Sequence, residues 1–312
     1  MRLKFPLSNL VKHTKILSKP LLNSPPNMAG CFNLKLKKHF NLVFFYVIIK
    51  QKGYFMKITL ITGATGGLGK AFCEVYAENK NNLLLVATKE DKLIELKNEI
   101  ESKYQVKAYY FVADLSDKEQ LKKVYEYANS NDFFVNNLVN NAGFGDRCDF
   151  KDMDVDTQLK MVDVNCNALL YFTRVFLSDM LKNNEGHIIN VGSMAGFVPG
   201  PYMCTYHATK AFVLNLGESI AHELRKSKVK LLTLCPGPFE SGFVSKAHND
   251  YTFEKIKPVP AIKVAKYAYK QSLKGKRIAI VGFGNKVTCF APRFFSRKFV
   301  AKISAGTLKK GD

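Results

Sequence analysis

Lys57-Ile58-Thr59-Leu60-Ile61-Thr62-Gly63-Ala64-Thr65-Gly66-Gly67-Leu68-Gly69 is the stretch on which the fold turns. Ile58–Ile61 is a short, mainly apolar run, as expected of a strand buried on both faces of a parallel sheet. Glycines at 63, 66, 67 and 69 follow it at once. Without a Cβ, glycine lets a chain turn sharply and lets a phosphate come close to its backbone. A helix starting near Gly67 offers such an anion its free N–H groups and its positive dipole end. Strand, glycine turn and helix in this order open a nucleotide-binding βαβ unit. A glycine turn alone is weak evidence, so the rest of the chain has to agree with it.

The agreement is one of rhythm. Further apolar runs stand at Leu83–Ala87, Ala108–Val112, Val135–Val139, His187–Val191, Leu231–Cys235 and Ile278–Val281. They are continuous rather than alternating, which suits a parallel sheet covered on both sides. Amphipathic stretches near 67–80, 90–102, 117–129, 156–183, 205–226 and 261–273 are the expected helices. The prediction is a single doubly wound α/β domain over 56–312, Rossmann-like, with a parallel seven-stranded sheet. Residues 286–312 form a basic tail, aromatic in its first part, that ends in a helix.

Hydrophobic residues make up 47% and charged residues 23%, the balance of an ordinary globule. The formal net charge is +21, unevenly spread: residues 1–55 hold ten of the 47 basic residues and none of the 26 acidic ones. A Lys-rich solvated surface accounts for the excess more simply than a nucleic-acid partner, and none is assigned. Seven Cys, an odd number without C-x-x-C spacing, point away from a disulfide scaffold and toward a reducing cytoplasm. The six His show no ligand spacing, and no metal is assigned.

Residues 1–55 stand outside this pattern. Phe40–Ile49 is apolar except for Asn41, about half the roughly 20 residues that span a bilayer. It lies too far along the chain for a signal peptide. Weak membrane contact stays open, since basic flanks and aromatic residues suit an interface. The simpler expectation is that the folded protein begins at Met56. Lys52-Gly53 is encodable as a purine-rich ribosome-binding site, which would make 1–55 an over-extended gene start.

Ser193, Tyr206 and Lys210 carry the strongest chemical signal. Tyr206 and Lys210 are four apart, so on a helix they share one face and the ammonium can sit beside the phenol. Ser193 follows the fifth apolar run, where ligands of such sheets gather. A free Tyr has a pKa near ~10 and ionises little at neutral pH. A neighbouring cation, together with an oxidised nicotinamide, is expected to lower it by about 3 units, giving a proton donor and acceptor for carbonyl chemistry.

Together these motifs resemble the short-chain dehydrogenase/reductase family, and in particular small bacterial reductases of unassigned substrate. The likeness runs from about Met56 to at least residue 245. It rests on Thr62-Gly63-x-x-x-Gly67-x-Gly69, on Asp114 after the third strand, on Asn140-Asn141-Ala142-Gly143 after the fourth, and on Ser193 with Tyr206-x-x-x-Lys210. The resemblance implies interconversion of a carbonyl and an alcohol with a nicotinamide dinucleotide. It makes Tyr206 the general acid and base, Ser193 the group that orients the substrate oxygen, Lys210 the partner of the phenol and the ribose, and Asn165 the holder of a proton-relay water. Gly63, Thr65, Gly67, Leu68 and Gly69 would cradle the pyrophosphate. Asp114 would meet the adenine, with Asn141, Ala142 and Gly143 beside the cofactor. Pro236, Gly237 and Ser241 would face the nicotinamide, Ser241 standing where the family usually has Thr. Residues 238–258 would form the substrate lid, and two long helices would pair copies into a homodimer or homotetramer.

The tip of the second strand, Val86-Ala87-Thr88-Lys89, carries no acid to bond the ribose hydroxyls of NAD. Thr88 and Lys89 suit a 2′-phosphate, so NADP(H) is favoured over NAD(H), although Glu90, Asp91 and a glycine at 66 weigh the other way. Phe144, Met194, Phe197, Tyr202, Phe239 and Phe243 point to a small apolar substrate. Two other functions stay open: a cofactor-binding sensor or scaffold without turnover, and a membrane-associated acyl-chain carbonyl reductase. The full Asn-Ser-Tyr-Lys set speaks against the sensor, which has no need of proton-transfer groups.

Overall fold

A computed structural model describes residues 55–240 and 258–308. The proposed extension before Phe55, most of the proposed lid, Ser241 and Phe243 lie outside the described residues.

The apolar runs form the strands β1 (Met56–Thr62), β2 (Asn82–Ala87), β3 (Ala108–Val112), β4 (Phe133–Asn140), β5 (His187–Val191), β6 (Lys230–Cys235) and β7 (Ile278–Ile280). They lie in one parallel seven-stranded sheet in the order β3-β2-β1-β4-β5-β6-β7. The inner strands are buried on both faces, which explains why their sequences do not alternate.

Between the strands run α1 (Gly67–Glu78), α2 (Glu90–Tyr104), α3 (Lys118–Ser130), α4 (Val155–Val162), α5 (Leu169–Asn183), α6 (Cys204–Glu223) and α7 (Ala261–Leu273). Strand residues one apart feed opposite cores. Ile61, Leu83 and Leu85 join Phe72 and Tyr76 of α1, Leu93 and Leu96 of α2 and Val264 of α7. Ile58, Leu60 and Leu84 join Leu121 of α3, Phe172 and Phe176 of α5 and Ala221 of α6. Each such buried side chain contributes ~1.5–3 kcal/mol, so both layers are needed to hold the sheet. The strand order reverses between β1 and β4, and the crevice beyond their carboxyl ends is where this architecture binds ligands.

The long helix expected over 156–183 is present from Val155 to Asn183, with one irregularity between α4 and α5. Asp163–Ala168 forms a π-helical turn between α4 and α5. The basic tail is folded further than expected, as α8 (Phe283–Phe290), a 3₁₀ turn at Ala291–Phe294 and α9 (Arg297–Leu308).

Candidate active site

The nucleotide end is built by backbone fit. Gly63 has φ +63°, and a Cβ there would lie 2.9 Å from the Ala142 Cα. A Cβ on Gly69 would lie 2.1 Å from the Gly63 carbonyl oxygen, so only glycine lets α1 start against its own turn. Gly66 caps α1 without a side-chain hydrogen bond, and Gly66 and Gly67 are exposed. Their surroundings are open above the turn: a Cβ on Gly66 would meet nothing closer than 3.4 Å. The helix end therefore has both the room and the free N–H groups for a pyrophosphate.

Asn141 locks this turn to β4. Its Nδ2 donates to the carbonyls of Thr62 at 2.9 Å and Gly63 at 3.1 Å. Thr62 answers from β1: its Oγ1 accepts the N–H groups of Asn141 and Ala142, both at 3.0 Å. Thr62 was not among the expected site residues; a hydroxyl at the last strand position before a glycine turn was its signal. Asp114 stands at the same end, in the turn after β3. Its Oδ1 accepts from Ser116 and its Oδ2 pairs with Lys160 at 2.9 Å. Partial burial pushes this carboxyl up, but the bonds from Ser116 and Lys160 outweigh it and hold it below its ordinary value. Lys160 comes from α4, and nothing in its local sequence marked it. Thr88 and Lys89 are exposed at the tip of β2. Of the two nearby acids, Glu90 is engaged with the hydroxyl of Tyr110 at 3.2 Å.

The reaction end gathers Ser193, Tyr206, Lys210 and Asn165. Ser193 caps a short 3₁₀ turn, its Oγ accepting from the Ala195 N–H at 3.1 Å, and it hydrogen-bonds Tyr206. Tyr206 and Lys210 lie on one face of α6, with the Lys210 Nζ 5.7 Å from the Tyr206 ring centre. Lys210 is buried and donates to the Val191 carbonyl at 2.9 Å, at the end of β5. A Cβ on Gly143 would lie 2.9 Å from Asn165 Oδ1 and 3.5 Å from Lys210 Nζ, so this glycine leaves the space in which the two side chains meet.

Asn165 sits in the π turn and is 1% exposed. Its Oδ1 accepts from the Phe144 N–H, while its Nδ2 donates to the Phe144 carbonyl and to Thr209 Oγ1 at 3.0 Å. Thr209 in turn donates to the Tyr206 carbonyl at 2.8 Å. Thr209 was also missed, since a Thr beside a predicted Lys has no distinctive pattern. Pro236 and Gly237 follow β6 beside this cluster: the Pro236 carbonyl accepts from the Met194 N–H at 3.2 Å. Asn285 of α8 closes over Gly237, where an added Cβ would lie 2.5 Å from its Nδ2.

Burial governs both groups, and Lys210 by itself does not bring the Tyr206 phenol below its ordinary value. Burial pushes the phenol up to about 12, with the Ser193 hydrogen bond only partly offsetting it. Lys210 is itself pushed down to about 8 by burial, and its ammonium is turned to the Val191 carbonyl. Desolvation disfavours the charged form of both groups and exceeds their mutual attraction.

Residues 57–252 match the family described as short chain dehydrogenase. The chain belongs to the short-chain dehydrogenase family. Among its relatives in this family is an uncharacterized oxidoreductase of Staphylococcus aureus, 28% identical over 215 residues, covering 69% of this chain and 91% of that protein. An uncharacterized oxidoreductase of Staphylococcus saprophyticus is 28% identical over 216 residues, with 69% and 92% coverage. Two solved structures share the short-chain dehydrogenase fold seen here. A short-chain dehydrogenase from Sphingobium yanoikuyae in complex with NADPH gives a TM-score of 0.70 at 24% identity, over 76% of this chain and 92% of that one. A 7beta-hydroxysteroid dehydrogenase gives 0.71 at 24% identity, over 80% and 97%.

Proposed function

We propose that this short-chain dehydrogenase interconverts a small apolar carbonyl compound and its alcohol with NADP(H), Tyr206 moving the proton. The observation that carries this reading is the convergence of Ser193, Tyr206, Lys210 and Asn165 around the carboxyl end of β5. Gly67 and Leu68 offer the N–H groups for the pyrophosphate, and Asp114, Asn141, Ala142 and Gly143 line the crevice beside it. Thr88 and Lys89 take the 2′-phosphate by hydrogen bond and charge. The cofactor, when bound, supplies or removes the hydride at the carbonyl carbon.

The chain's own residues handle the oxygen. Ser193 donates a hydrogen bond to it and fixes its direction. In reduction Tyr206 gives its phenolic proton to the forming alkoxide, and the O–H bond formed replaces the one broken on the phenol. Lys210, on the same face of α6, is the group that returns a proton to the phenolate, and Asn165 holds the Phe144 loop beside it. Val155, Leu159 and Val162 of α4, Leu170 of α5 and Phe212 of α6 are exposed and supply an apolar face for pairing two copies.

The test is oxidation of NADPH and NADH by the full chain against a panel of apolar ketones and aldehydes. Turnover with at least one of them, lost in Tyr206→Phe, is expected. No turnover with any, despite tight cofactor binding, would favour a sensor.

A further inference from the structure

Helices α8 and α9 bury little and expose much. Cys289 of α8 and Val300 and Ser304 of α9 face the body of the domain. The opposite faces are apolar at helical spacing. Phe283, Val287, Phe290 and Phe294 follow one another at four, three and four residues and are 82%, 52%, 53% and 72% exposed. Phe295, Phe299 and Ile303 continue the stripe at four-residue steps, each about half exposed. Ring contacts at 5.4 Å (Phe290–Phe294) and 5.2 Å (Phe295–Phe299) make the surface continuous along each helix. An apolar surface of this size, held in water on two consecutive helices, marks an interaction site.

Its rim defines the occupant. Lys286, Arg293, Arg297, Lys298 and Lys302 are exposed around the stripe, and no acidic residue occurs between Lys255 and Gly311. The Arg293 guanidinium lies 5.3 Å from the Phe290 ring centre, so charge and apolar surface are interleaved rather than segregated. A second copy docking here about a two-fold axis would set cations against cations. Residues 1–54 likewise bring no acid to meet this rim. Among the described residues no helix is long and apolar enough to cross a membrane. Aromatic residues in a basic surround match the headgroup layer of an anionic bilayer.

We propose that α8 and α9 form an interfacial anchor that seats the protein on anionic lipid. The anchor adjoins the reaction end. Asn285 packs over Gly237, and an open cavity of about 220 Å³ lies between Phe197 and Pro199, which follow Ser193, and Arg293, Arg297 and Val300. Docking would therefore bring this face of the enzyme to the lipid surface.

The chain contains no Trp, so Phe294→Trp in the full protein is a single local reporter. Its indole emission is expected to shift to the blue with vesicles containing phosphatidylglycerol, and to be quenched by brominated acyl chains. It should not respond to phosphatidylcholine vesicles. Lys298→Glu with Lys302→Glu should lower the vesicle-bound fraction about tenfold or more at low salt. Phe290→Ser with Phe294→Ser should do the same. Indole emission that stays unshifted in the Phe294→Trp variant, while the chain still floats with vesicles, would assign binding to another segment and overturn the proposal. So would binding indifferent to lipid charge. A sedimentation experiment in which the double Phe variant splits an oligomer would overturn it in favour of a second copy as the occupant. Emission already blue-shifted in the Phe294→Trp variant without vesicles would do so in favour of a covering segment of the chain, such as 241–257.

Discussion

Asn165 holds Phe144 by both of its backbone polar groups, accepting from the N–H at 3.0 Å and donating to the carbonyl at 2.8 Å. One buried amide thus pins the loop after β4 to the π turn, and through Thr209 to the helix that carries Tyr206 and Lys210. Asn165→Leu keeps the volume and leaves these groups unpaired, at a cost of ~1–3 kcal/mol. Thermal unfolding should show a lower midpoint, and turnover should fall by roughly tenfold or more as the loop loosens. Unchanged turnover in a destabilised protein would confine Asn165 to structure.

Tyr206→Phe should remove nearly all turnover and leave cofactor affinity within a factor of about two, since the ring still packs while the transferable proton is gone. Ser193→Ala should retain more, losing about 10²-fold for one hydrogen bond to the reacting oxygen. Steady-state rates beside cofactor titration separate the two effects. Wild-type turnover in Tyr206→Phe would overturn the mechanism while leaving the fold intact.

Lys210 gives a pH signature. Burial lowers it from 10.5 to about 8, so between those values the unfolded chain holds a proton that the folded chain has released. Stability from this group therefore rises with pH across that window, and at pH 7 the group costs on the order of 3 kcal/mol. Lys210→Met should be the more stable protein at pH 7, with a gap that narrows from about pH 8 upward. Buried Cys166, Cys235 and Cys289 are pushed up and act oppositely above their ordinary value; Cys166 and Cys235 feel the Lys210 charge, so the comparison is read below that range, from pH 7 to about 9. Denaturant melts at several pH values give the gap directly; a gap independent of pH would contradict the burial of a charged ammonium.

The glycine turn should respond unequally to alanine. Gly69→Ala drives a Cβ to 2.1 Å from backbone and should cost ~3 kcal/mol or more, or prevent folding. Gly66→Ala meets its nearest atom at 3.4 Å and should fold normally, with any loss confined to cofactor affinity. Equal destabilisation of the two would mean the turn is not built as described.

Lys89→Ala should weaken NADPH binding more than NADH binding, because only the former carries a 2′-phosphate for the exposed ammonium. Fluorescence titration of both cofactors checks this. Equal changes in both affinities would place the phosphate elsewhere or remove the preference.

Strand positions were legible because each inner strand is an uninterrupted apolar run between polar helices, and burial on both faces requires that. The catalytic set was legible for a different reason: Tyr206 and Lys210 share a helix face at a fixed spacing, and Ser193 follows a recognisable strand. What escaped was geometry without a local period. The π turn at Asp163–Ala168 has no sequence pattern distinct from an α-helix. Lys160 reaches Asp114 across 46 positions in sequence, and Thr62 acts through its place at a strand end. The depth of burial of Tyr206 and Lys210 also escaped, since a neighbouring cation is visible in a sequence and its desolvation is not.

The π turn separates durability from competence. Such a turn carries about one residue more than the α-helical path it replaces. Deleting a single residue from it, such as Asn167, would let α4 and α5 fuse into one regular helix with Met161 and Phe172 still facing inward. That shortened chain would gain backbone regularity and shift the register of Asn165 against Phe144 and Thr209.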